Sequence, residues 1–337
     1  MTIRDIAKMV GVSPATVSIV LNGKPGVSEE RREAIQKVID ETGYQVTERK
    51  KTTNKIVLAL SYLNSGILVE ENQGFISMIM DAMQAELKKK NVTLMQMTVN
   101  GGADELLTQA DLPGITGICV IASEMPREQY DVLQKMKCPF IVLDNLMPGY
   151  PYPCVGINNE ENVHTALKYC AESGIKQIGY LKSSLKAENF TARAEAFDRY
   201  TKELGLETNQ SQIFELTPTL RGAHHDMRLL LEAGASVPEC LFADNDMIAL
   251  GAMTCLKEHG YRIPQDVSII GFDNIPYSGV SSPTLATINV QRETIGRMAA
   301  HLILEEMREQ QQIPVKMAVT GQLKPRKSVK QTRQKNK

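Results

Sequence analysis

From residue 56 onward, short apolar runs alternate with segments whose apolar residues recur at helical spacing. Ile56 to Leu60 is an unbroken apolar run that predicts a buried strand, and Phe75 to Lys90 predicts a helix. Strands that alternate with helices form parallel sheets covered on both faces. Because the alternation runs twice, the sequence predicts two similar lobes, with a ligand cleft beyond the carboxyl ends of their strands. The further predicted strands are residues 92–99, 117–122, 140–143, 178–181, 240–243 and 267–271, and the further helices are 162–173, 193–203 and 247–259.

The first 45 residues have a different pattern, which predicts three short helices. Residues 2–5 have the spacing of a capping box, and Gly11 ends the first helix in a tight turn. Ser13 can cap the second helix, and Pro14 occupies its first position, where a missing N–H costs nothing. A third helix begins near Ser28 and braces the first two, which is the helix-turn-helix arrangement. The predicted apolar faces comprise Ile3, Ile6, Ala7, Val10, Val17, Val20, Leu21, Ala34, Ile35, Val38 and Ile39.

The net charge of −1 conceals an uneven distribution along the chain. Residues 1–55 carry a net charge of +3, residues 324–337 carry +7, and the section between them carries −11. An anionic body with basic ends is typical of a protein that binds a polyanion at one end. The C-terminal run lacks helical periodicity and apolar anchors, so its composition favours a solvated, disordered tail over a binding element.

Composition and spacing exclude several classes of protein. No apolar run approaches the roughly 18 residues that suggest a transmembrane helix, and charges at the N-terminus replace the apolar core of a signal peptide. We therefore expect a cytoplasmic protein. The pair His224-His225 has no thiol or carboxylate at ligand spacing, so no metal and no cofactor is predicted. Scattered cysteines without a CxxC pair indicate reduced, buried thiols. They are Cys119, Cys138, Cys154, Cys170, Cys240 and Cys255.

The sequence resembles the lactose- and galactose-repressor family over nearly its whole length. The most specific match lies in residues 2–7, 11–18, 21–23 and 43–44, and matches in the core include residues 117–118, 139–144, 245–251, 264–274 and 282–288, with Arg193 and Phe197. The resemblance implies an all-α helix-turn-helix head followed by an α/β core like that of periplasmic binding proteins. That core has two doubly wound parallel-sheet lobes joined by three crossovers. The implied protein is a homodimer that binds double-stranded operator DNA and a small effector.

The predicted domains are residues 1–46 for the DNA-binding head, 47–55 for a basic linker, 56–323 for the effector-binding and dimerisation core, and 324–337 for the tail. In the family the linker usually carries a hinge helix whose leucine wedges into the minor groove. Here the linker is about five residues short and has no leucine, so the hinge helix is predicted to be missing. We expect Arg49, Lys50 and Lys51 to contact phosphates or a narrow minor groove instead.

The resemblance places the second helix in the major groove with Pro14, Ala15 and Ile19 over the bases. None of these side chains can donate the paired hydrogen bonds that read guanine or adenine, so readout is expected from thymine methyl contacts and DNA shape. Core packing is the alternative role for Ile19. Positions that match phosphate contacts in the family could instead cap helices or lie in solvent. These are Arg4, Ser13, Thr16, Ser18, Asn22, Ser28 and Tyr44.

Six core residues match or lie near effector-binding positions of the family. They include Arg193, whose alternative role is an ion pair with an acidic neighbour, and Phe75, whose alternative role is core packing. Val290 replaces a frequent glutamine of the family, and the chain has no tryptophan, the side chain best suited to stacking on a sugar. The six candidates are Phe75, Asp144, Asn189, Arg193, Asn245 and Asp273.

Two other classes of protein share parts of this pattern. A solute-binding protein has the same two-lobed fold, but it requires export and has no use for a helix-turn-helix. An enzyme is disfavoured because the chain has no nucleophile elbow, phosphate loop or dinucleotide fingerprint. We therefore expect a transcriptional regulator, in which the ligand is either inducer or co-repressor. A mono- or disaccharide is the family's commonest effector, although nucleobases and phosphorylated metabolites also occur. The single leucine after residue 321 indicates a dimer rather than a tetramer.

Overall fold

The computed structural model describes residues 2–21, 23–44, 55–67, 74–100, 102–308 and 314–331. The chain divides into two compact units, Met1–Thr53 and Asn54–Lys337, which we call the head and the core. The linker residues Arg49, Lys50 and Lys51 and the candidate Asn22 lie outside the described residues. The linker, in which the hinge helix was predicted to be missing, lies outside them as well, apart from Lys55.

Three helices form the head: α1 (Ile3–Val10), α2 (Pro14–Leu21) and α3 (Glu29–Thr42). The predicted capping box is confirmed, because Thr2 accepts from the backbone N–H of Asp5 and the Asp5 carboxylate accepts from the backbone N–H of Thr2. Gly11 ends α1 with φ 73°, a left-handed conformation that favours glycine. The three helices pack on one apolar cluster of buried residues, Ile6, Ala7, Val17, Val20, Ile35 and Ile39.

The first lobe of the core is a parallel six-stranded sheet in the order β11-β5-β4-β3-β1-β2. Helices α4 and α11 pack against each other on this lobe, so closely that a Cβ on Gly296 would lie 2.2 Å from the carbonyl oxygen of Ile79. Its strands are β1 (Lys55–Tyr62), β2 (Val92–Val99), β3 (Gly117–Ile121), β4 (Phe140–Leu143), β5 (Cys154–Ile157) and β11 (Lys316–Val319). Its helices are α4 (Phe75–Lys88), α5 (Ala103–Ala110), a 3₁₀ helix (Arg127–Lys135) and α11 (Arg292–Glu306).

The second lobe has a six-stranded sheet in the order β12-β10-β9-β8-β6-β7, parallel except for the antiparallel pair β10 and β12. Its strands are β6 (Ile178–Ser183), β7 (Ile213–Leu216), β8 (Cys240–Ala243), β9 (Ser268–Asp273), β10 (Ala286–Asn289) and β12 (Gln322–Lys324). Its helices are α6 (Asn159–Glu172), α7 (Glu188–Glu203), α8 (Leu220–Glu232), α9 (Asp246–Glu258) and α10 (Pro276–Val280), with a 3₁₀ turn at Gln210–Gln212.

The chain passes between the lobes three times, after β5, after β10 and after β11, which confirms the implied crossovers. Hydrogen bonds tie the first passage to the third. Asn158 Nδ2 donates to Thr320 Oγ1 at 3.1 Å, and the Gly321 N–H donates to Asn162 Oδ1 at 2.7 Å. Two of the three passages between the lobes are therefore hydrogen-bonded to each other.

The prediction that the chain is disordered from residue 324 is wrong for residues 324–331. Ser328 and Val329 are buried in the second lobe. The Ser328 hydroxyl donates to the carbonyl of Ile269 at 2.5 Å and accepts from the N–H of Ala286 at 2.8 Å, so the segment joins β9 to β10. Backbone and hydroxyl bonds hold this segment, and such bonds leave no apolar periodicity in the sequence. Residues 332–337 lie outside the described residues.

Among the helices that the structure describes, none has the length and apolar character needed to span a membrane.

Candidate effector cleft and DNA interface

The carboxyl ends of both parallel sheets open into one cleft between the lobes of the core. All six predicted effector residues line it, so the structure brings together Phe75, Asp144, Asn189, Arg193, Asn245 and Asp273. About 400 Å³ between its walls, the open mouth included, is not filled by protein atoms. The lining residues that the sequence analysis did not name are Ile76, Ser123, Ile157, Ala187 and Phe190.

Arg193 lies on α7 with its side chain 3% exposed. Its Nε donates to Asn159 Oδ1 at 2.9 Å, and its Nη1 donates to the carbonyl oxygen of Asp244. Its guanidinium carbon lies 3.8 Å from the centroid of the Phe272 ring, and its Nη2 is 3.9 Å from Asp273 Oδ1. The ion pair considered as an alternative role is therefore present, but its partner is another cleft residue. A guanidinium has five N–H groups, so this fixed arginine retains donors for a ligand.

Asp144 and Asn189 form a bridge between the lobes. Asp144 follows β4 in the first lobe with φ 60°, and its Oδ2 accepts from Ser123 Oγ at 2.6 Å. Asn189 of the second lobe donates through Nδ2 to the Asp144 carbonyl at 2.9 Å and to Asp144 Oδ1 at 3.2 Å. Burial raises the pKa of Asp144 to about 6, against the lowering effects of the Ser123 hydrogen bond and the Arg193 charge. At neutral pH this carboxyl is mainly ionised and can accept from ligand hydroxyls.

Asn245 begins α9, and its Oδ1 caps the helix by accepting from the N–H of Ile248 at 2.9 Å. The aspartates on either side of it are fully buried behind the cleft. Asp244 accepts from the Tyr180 hydroxyl at 2.5 Å and from the Ser183 N–H at 2.6 Å, and burial raises its pKa to about 6. Sequence reasoning missed both aspartates, although both lie within three residues of the end of the buried strand β8, where polar residues face the cleft.

Asp246 is the most strongly perturbed of these carboxyls. Burial, and then the negative charge of Asp273, raise the pKa of Asp246 to about 8. Its oxygens accept from Thr287 Oγ1 at 2.6 Å and from the N–H of Ile275 at 2.9 Å. The hydrogen bonds link the start of α9 to β10 and to the segment after β9, so Asp246 fixes the floor of the cleft.

Phe75 packs in the first lobe's apolar core, the alternative role considered for it, with its ring 4% exposed, and it also lines the cleft. Phe190 faces the cleft from the second lobe.

No group of three or more metal-ligating side chains occurs in the described part of the chain.

On the head, α2 has no charged residue. Pro14 and Ala15 are exposed and Ile19 is half-buried. Ile19 is not a member of the head's apolar cluster, which contains its neighbours Val17 and Val20. The three residues named for base readout therefore lie on the part of α2 that is not packed into the apolar cluster of the head.

The polar residues named for phosphate contact have different surroundings. The Ser13 hydroxyl accepts from the N–H of Thr16 at 3.1 Å and shares a hydrogen bond with the Thr16 hydroxyl at 2.9 Å, so Ser13 caps α2 as predicted. Arg4 and Ser28 are exposed, and Ser28 is the N-cap of α3 without a side-chain hydrogen bond. Ser18 is half-buried, and Tyr44 is half-buried and packs against the apolar cluster of the head.

Comparison with known families and curated proteins agrees with this geometry. Residues 2–46 match the family of bacterial regulatory proteins described as the lacI family, and residues 167–329 match the periplasmic binding protein-like domain. The HTH-type transcriptional repressor PurR of Pasteurella multocida is 28% identical, with 98% of each chain covered. The HTH-type transcriptional regulator GalS of Salmonella typhimurium is also 28% identical, over 90% of this chain and 89% of its own.

Solved structures share the fold. A transcriptional regulator CelR–cellobiose complex matches with a TM-score of 0.71 and 23% identity, covering 97% of this chain and 99% of its own. The lac repressor dimer bound to operator and the anti-inducer ONPF matches with a TM-score of 0.71 and 20% identity, covering 97% and 98%. The chain therefore combines a helix-turn-helix domain of the lacI family of bacterial regulatory proteins with a periplasmic binding protein-like domain.

Proposed function

We propose that this DNA-binding regulator is a homodimeric repressor that reads an operator through α2 and is controlled by a sugar bound in the core. The observation that carries the proposal is the convergence of six polar or aromatic side chains, named from the sequence, on one cleft. Ligand binding there would change how the lobes meet and hence how two heads are presented to DNA. Such coupling between sites has to act in both directions.

The chemistry of the cleft supports a hydroxylated ligand. Asp144 and Asp273 supply acceptors, and Asn189 and Arg193 supply donors, from the two lobes that form the walls of the cleft. Phe75 supplies an apolar surface for a sugar ring. The cellobiose held by CelR is consistent with such a ligand. We interpret the carboxylates as ligand acceptors rather than as catalytic groups.

An exposed apolar face on the second lobe supports the dimer. Tyr277 and Val280 on α10 are 56% and 79% exposed, and Leu220 on α8 is 43% exposed. Together with Leu250 and Met253 of α9 they line a shallow groove, which we call the α8–α10 face. Exposed apolar patches of this kind mark protein interfaces, and a two-fold dimer uses the same patch on both copies. The lac repressor neighbour is a dimer on its operator.

The decisive experiment is binding of the full chain to DNA from its own upstream region, measured by fluorescence anisotropy at several salt concentrations. We expect tight, sequence-dependent binding that weakens steeply with salt, and a change in DNA affinity when the correct sugar is added. The variant Arg193→Ala should keep DNA binding and lose the response to the sugar. Equal affinity for unrelated DNA sequences, with and without every sugar tried, would rule out the proposal.

A further inference from the structure

Arg292, the first residue of α11, is a buried cation that its surroundings only partly satisfy. The residue is 93% buried, from its relative exposure of 7%. Its Nη2 donates to the carbonyl oxygen of Asn274 at 3.0 Å. Its Nη1 is enclosed and has no hydrogen-bond partner among the described residues, and no described carboxylate lies within ion-pairing distance of the guanidinium. Enclosing a charged donor without an acceptor is costly. Such a group in a folded protein requires an explanation, and an acceptor supplied by a bound ligand is one.

The guanidinium of Arg292 lies beside the effector cleft. Its central carbon is 5.8 Å from the centroid of the Phe75 ring, which lines the cleft from the first lobe. The carbonyl to which it donates belongs to Asn274, the residue directly after the cleft-lining Asp273 of the second lobe. Because α11 belongs to the first lobe, this hydrogen bond spans the junction of the lobes at the edge of the cleft.

Arg326 provides a contrast, because it contacts the same asparagine and is fully engaged. Its Nη2 donates to Asn274 Oδ1 at 2.6 Å, and its Nη1 donates to the carbonyl of Leu285 at 2.7 Å and to Ser278 Oγ at 3.1 Å. Two arginines therefore hold one asparagine, and only Arg292 retains an enclosed nitrogen without an acceptor.

Arg292 also changes the balance of charge around the cleft. The ionisable lining residues are Asp144, Asp273 and Arg193, which together favour a neutral or cationic ligand. With Arg292 beside them the two acidic groups face two guanidinium groups. Arg193 is already held by Asn159, Asp244 and Asp273, whereas the Arg292 Nη1 is not held. An anionic group of the ligand would therefore be received at Arg292.

We propose that Arg292 binds a carboxylate of the effector, so that the ligand is a hydroxylated carboxylate, such as a uronic or aldonic acid, rather than a neutral sugar. This inference rests on the proposed function, because it requires the cleft to be the effector site. A carboxylate satisfies a guanidinium through charge-assisted hydrogen bonds, which are shorter and stronger than those from a neutral hydroxyl. The hydroxyl groups of the same ligand remain for Asp144 and Asp273.

The test uses the full chain and matched pairs of pyranoses: glucose with glucuronic acid, and galactose with galacturonic acid, together with gluconic acid. Binding is followed by the shift in melting temperature and by the change in affinity for upstream DNA. We expect at least one acid to bind and to change DNA affinity, while its neutral partner binds weakly. In Arg292→Gln the acid should bind about tenfold to a hundredfold more weakly, the range for losing a hydrogen bond to a charged group. Arg292→Lys should retain part of the affinity.

A second readout needs no ligand. Replacing an enclosed, unpaired cation by an apolar side chain should not destabilise the protein, so Arg292→Met should melt no lower than the natural chain. Arg326→Met, the matched control, should melt several degrees lower because it breaks three satisfied hydrogen bonds. A loss in Arg292→Met as large as in Arg326→Met would show a structural role and overturn the inference.

The two proposals fail in different ways. If neutral sugars change DNA affinity as strongly as their acids, and equally in Arg292→Gln, the cleft is an effector site and the assignment of Arg292 is wrong. If none of the acids changes the melting temperature or the DNA affinity, the assignment is likewise wrong. If the chain binds all DNA sequences equally with every compound, the proposed function itself fails.

Discussion

Three buried aspartates at the floor and edge of the cleft are harder to ionise than an aspartate in water. Burial raises the pKa of Asp144 and of Asp244 to about 6, and the pKa of Asp246 to about 8. In the unfolded chain these carboxyls titrate near 3.8, the ordinary pKa of an aspartate. A raised pKa in the folded state means that the contribution to stability is complete below pH 4 and is lost as the pH rises through the folded pKa. The free energy of unfolding of the core should therefore fall between about pH 4 and pH 8 from these groups.

Asp246 can be separated from the other two because its pKa is the highest. In Asp246→Asn the side chain stays neutral, so the free energy of unfolding should decline less steeply between pH 6 and pH 8 than in the natural chain. The largest slope that one such group can contribute is about 1.4 kcal/mol per pH unit. Urea unfolding of the core, followed by circular dichroism at several pH values, measures the difference.

The control for this experiment is Asp266→Asn on the surface. The hydrogen bonds from Arg262 lower the pKa of Asp266 to about 2, so its carboxyl is ionised throughout the range studied. That variant should give a curve parallel to that of the natural chain between pH 6 and pH 8. A parallel curve for Asp246→Asn as well would show that Asp246 is not protonated near neutral pH.

How far the site could be predicted differs from residue to residue. The six effector candidates were found by resemblance, and the structure places all of them in one cleft. Ser123 and Asp244 are the first polar residues after the buried strands β3 and β8, so a search for polar residues after each apolar run would have found them. Arg292 could not be found in this way. Its position beside Phe75 depends on a crossover that returns the chain to the first lobe after β10.

At the scale of elements, α2 presents an uncharged surface to its surroundings. Pro14, Ala15 and Ile19 can contact the methyl group of thymine but cannot form the paired hydrogen bonds that identify guanine or adenine. Replacing the contacted thymine of the operator by uracil removes only that methyl group. We expect a loss in affinity of about fourfold, corresponding to ~0.8 kcal/mol for one methyl-sized contact. Fluorescence anisotropy with substituted duplexes would locate the position.

The variant Ile19→Ala completes the comparison. If Ile19 contacts the thymine methyl, this variant should bind the thymine and uracil duplexes with equal affinity, while the natural chain distinguishes them. An equal preference for thymine in both proteins would assign the methyl contact to another residue. The packing of the head should be unaffected, because Ile19 is not part of its apolar cluster.

The strands predicted with the observed bounds are two continuous apolar runs and one segment in which apolar and polar residues are mixed. Residues 92–99, 140–143 and 240–243 were predicted as strands with the bounds found in the structure. Five strands of at most four residues each were not predicted, namely β5, β7, β10, β11 and β12. The segment after β12 was predicted as disordered because its composition is basic and lacks apolar periodicity. The prediction could not take account of Ser328, whose hydroxyl forms hydrogen bonds with β9 and β10.

At the scale of the whole molecule, assembly is proposed to depend on the α8–α10 face. Replacing Val280, which is 79% exposed on this face, by lysine should place a charge in a desolvated contact. We expect Val280→Lys to shift the protein towards monomer in sedimentation velocity experiments and to weaken operator binding. Leu229→Lys is the matched control, because Leu229 is 48% exposed on α8 but does not line the groove. A dimer of unchanged stability in Val280→Lys would place the interface elsewhere.

The head precedes in the chain the last strands of both sheets of the core, so it is synthesised first. The three helices of the head end at residue 42, whereas β11 completes the first sheet and β12 with Ser328 completes the second only between residues 316 and 328. Domains fold as units while they leave the ribosome, starting from the N-terminus. A nascent chain is thus expected to contain a folded DNA-binding head long before either lobe of its core has all its strands. An mRNA truncated before codon 316 would encode the DNA-binding head without a complete effector-binding core.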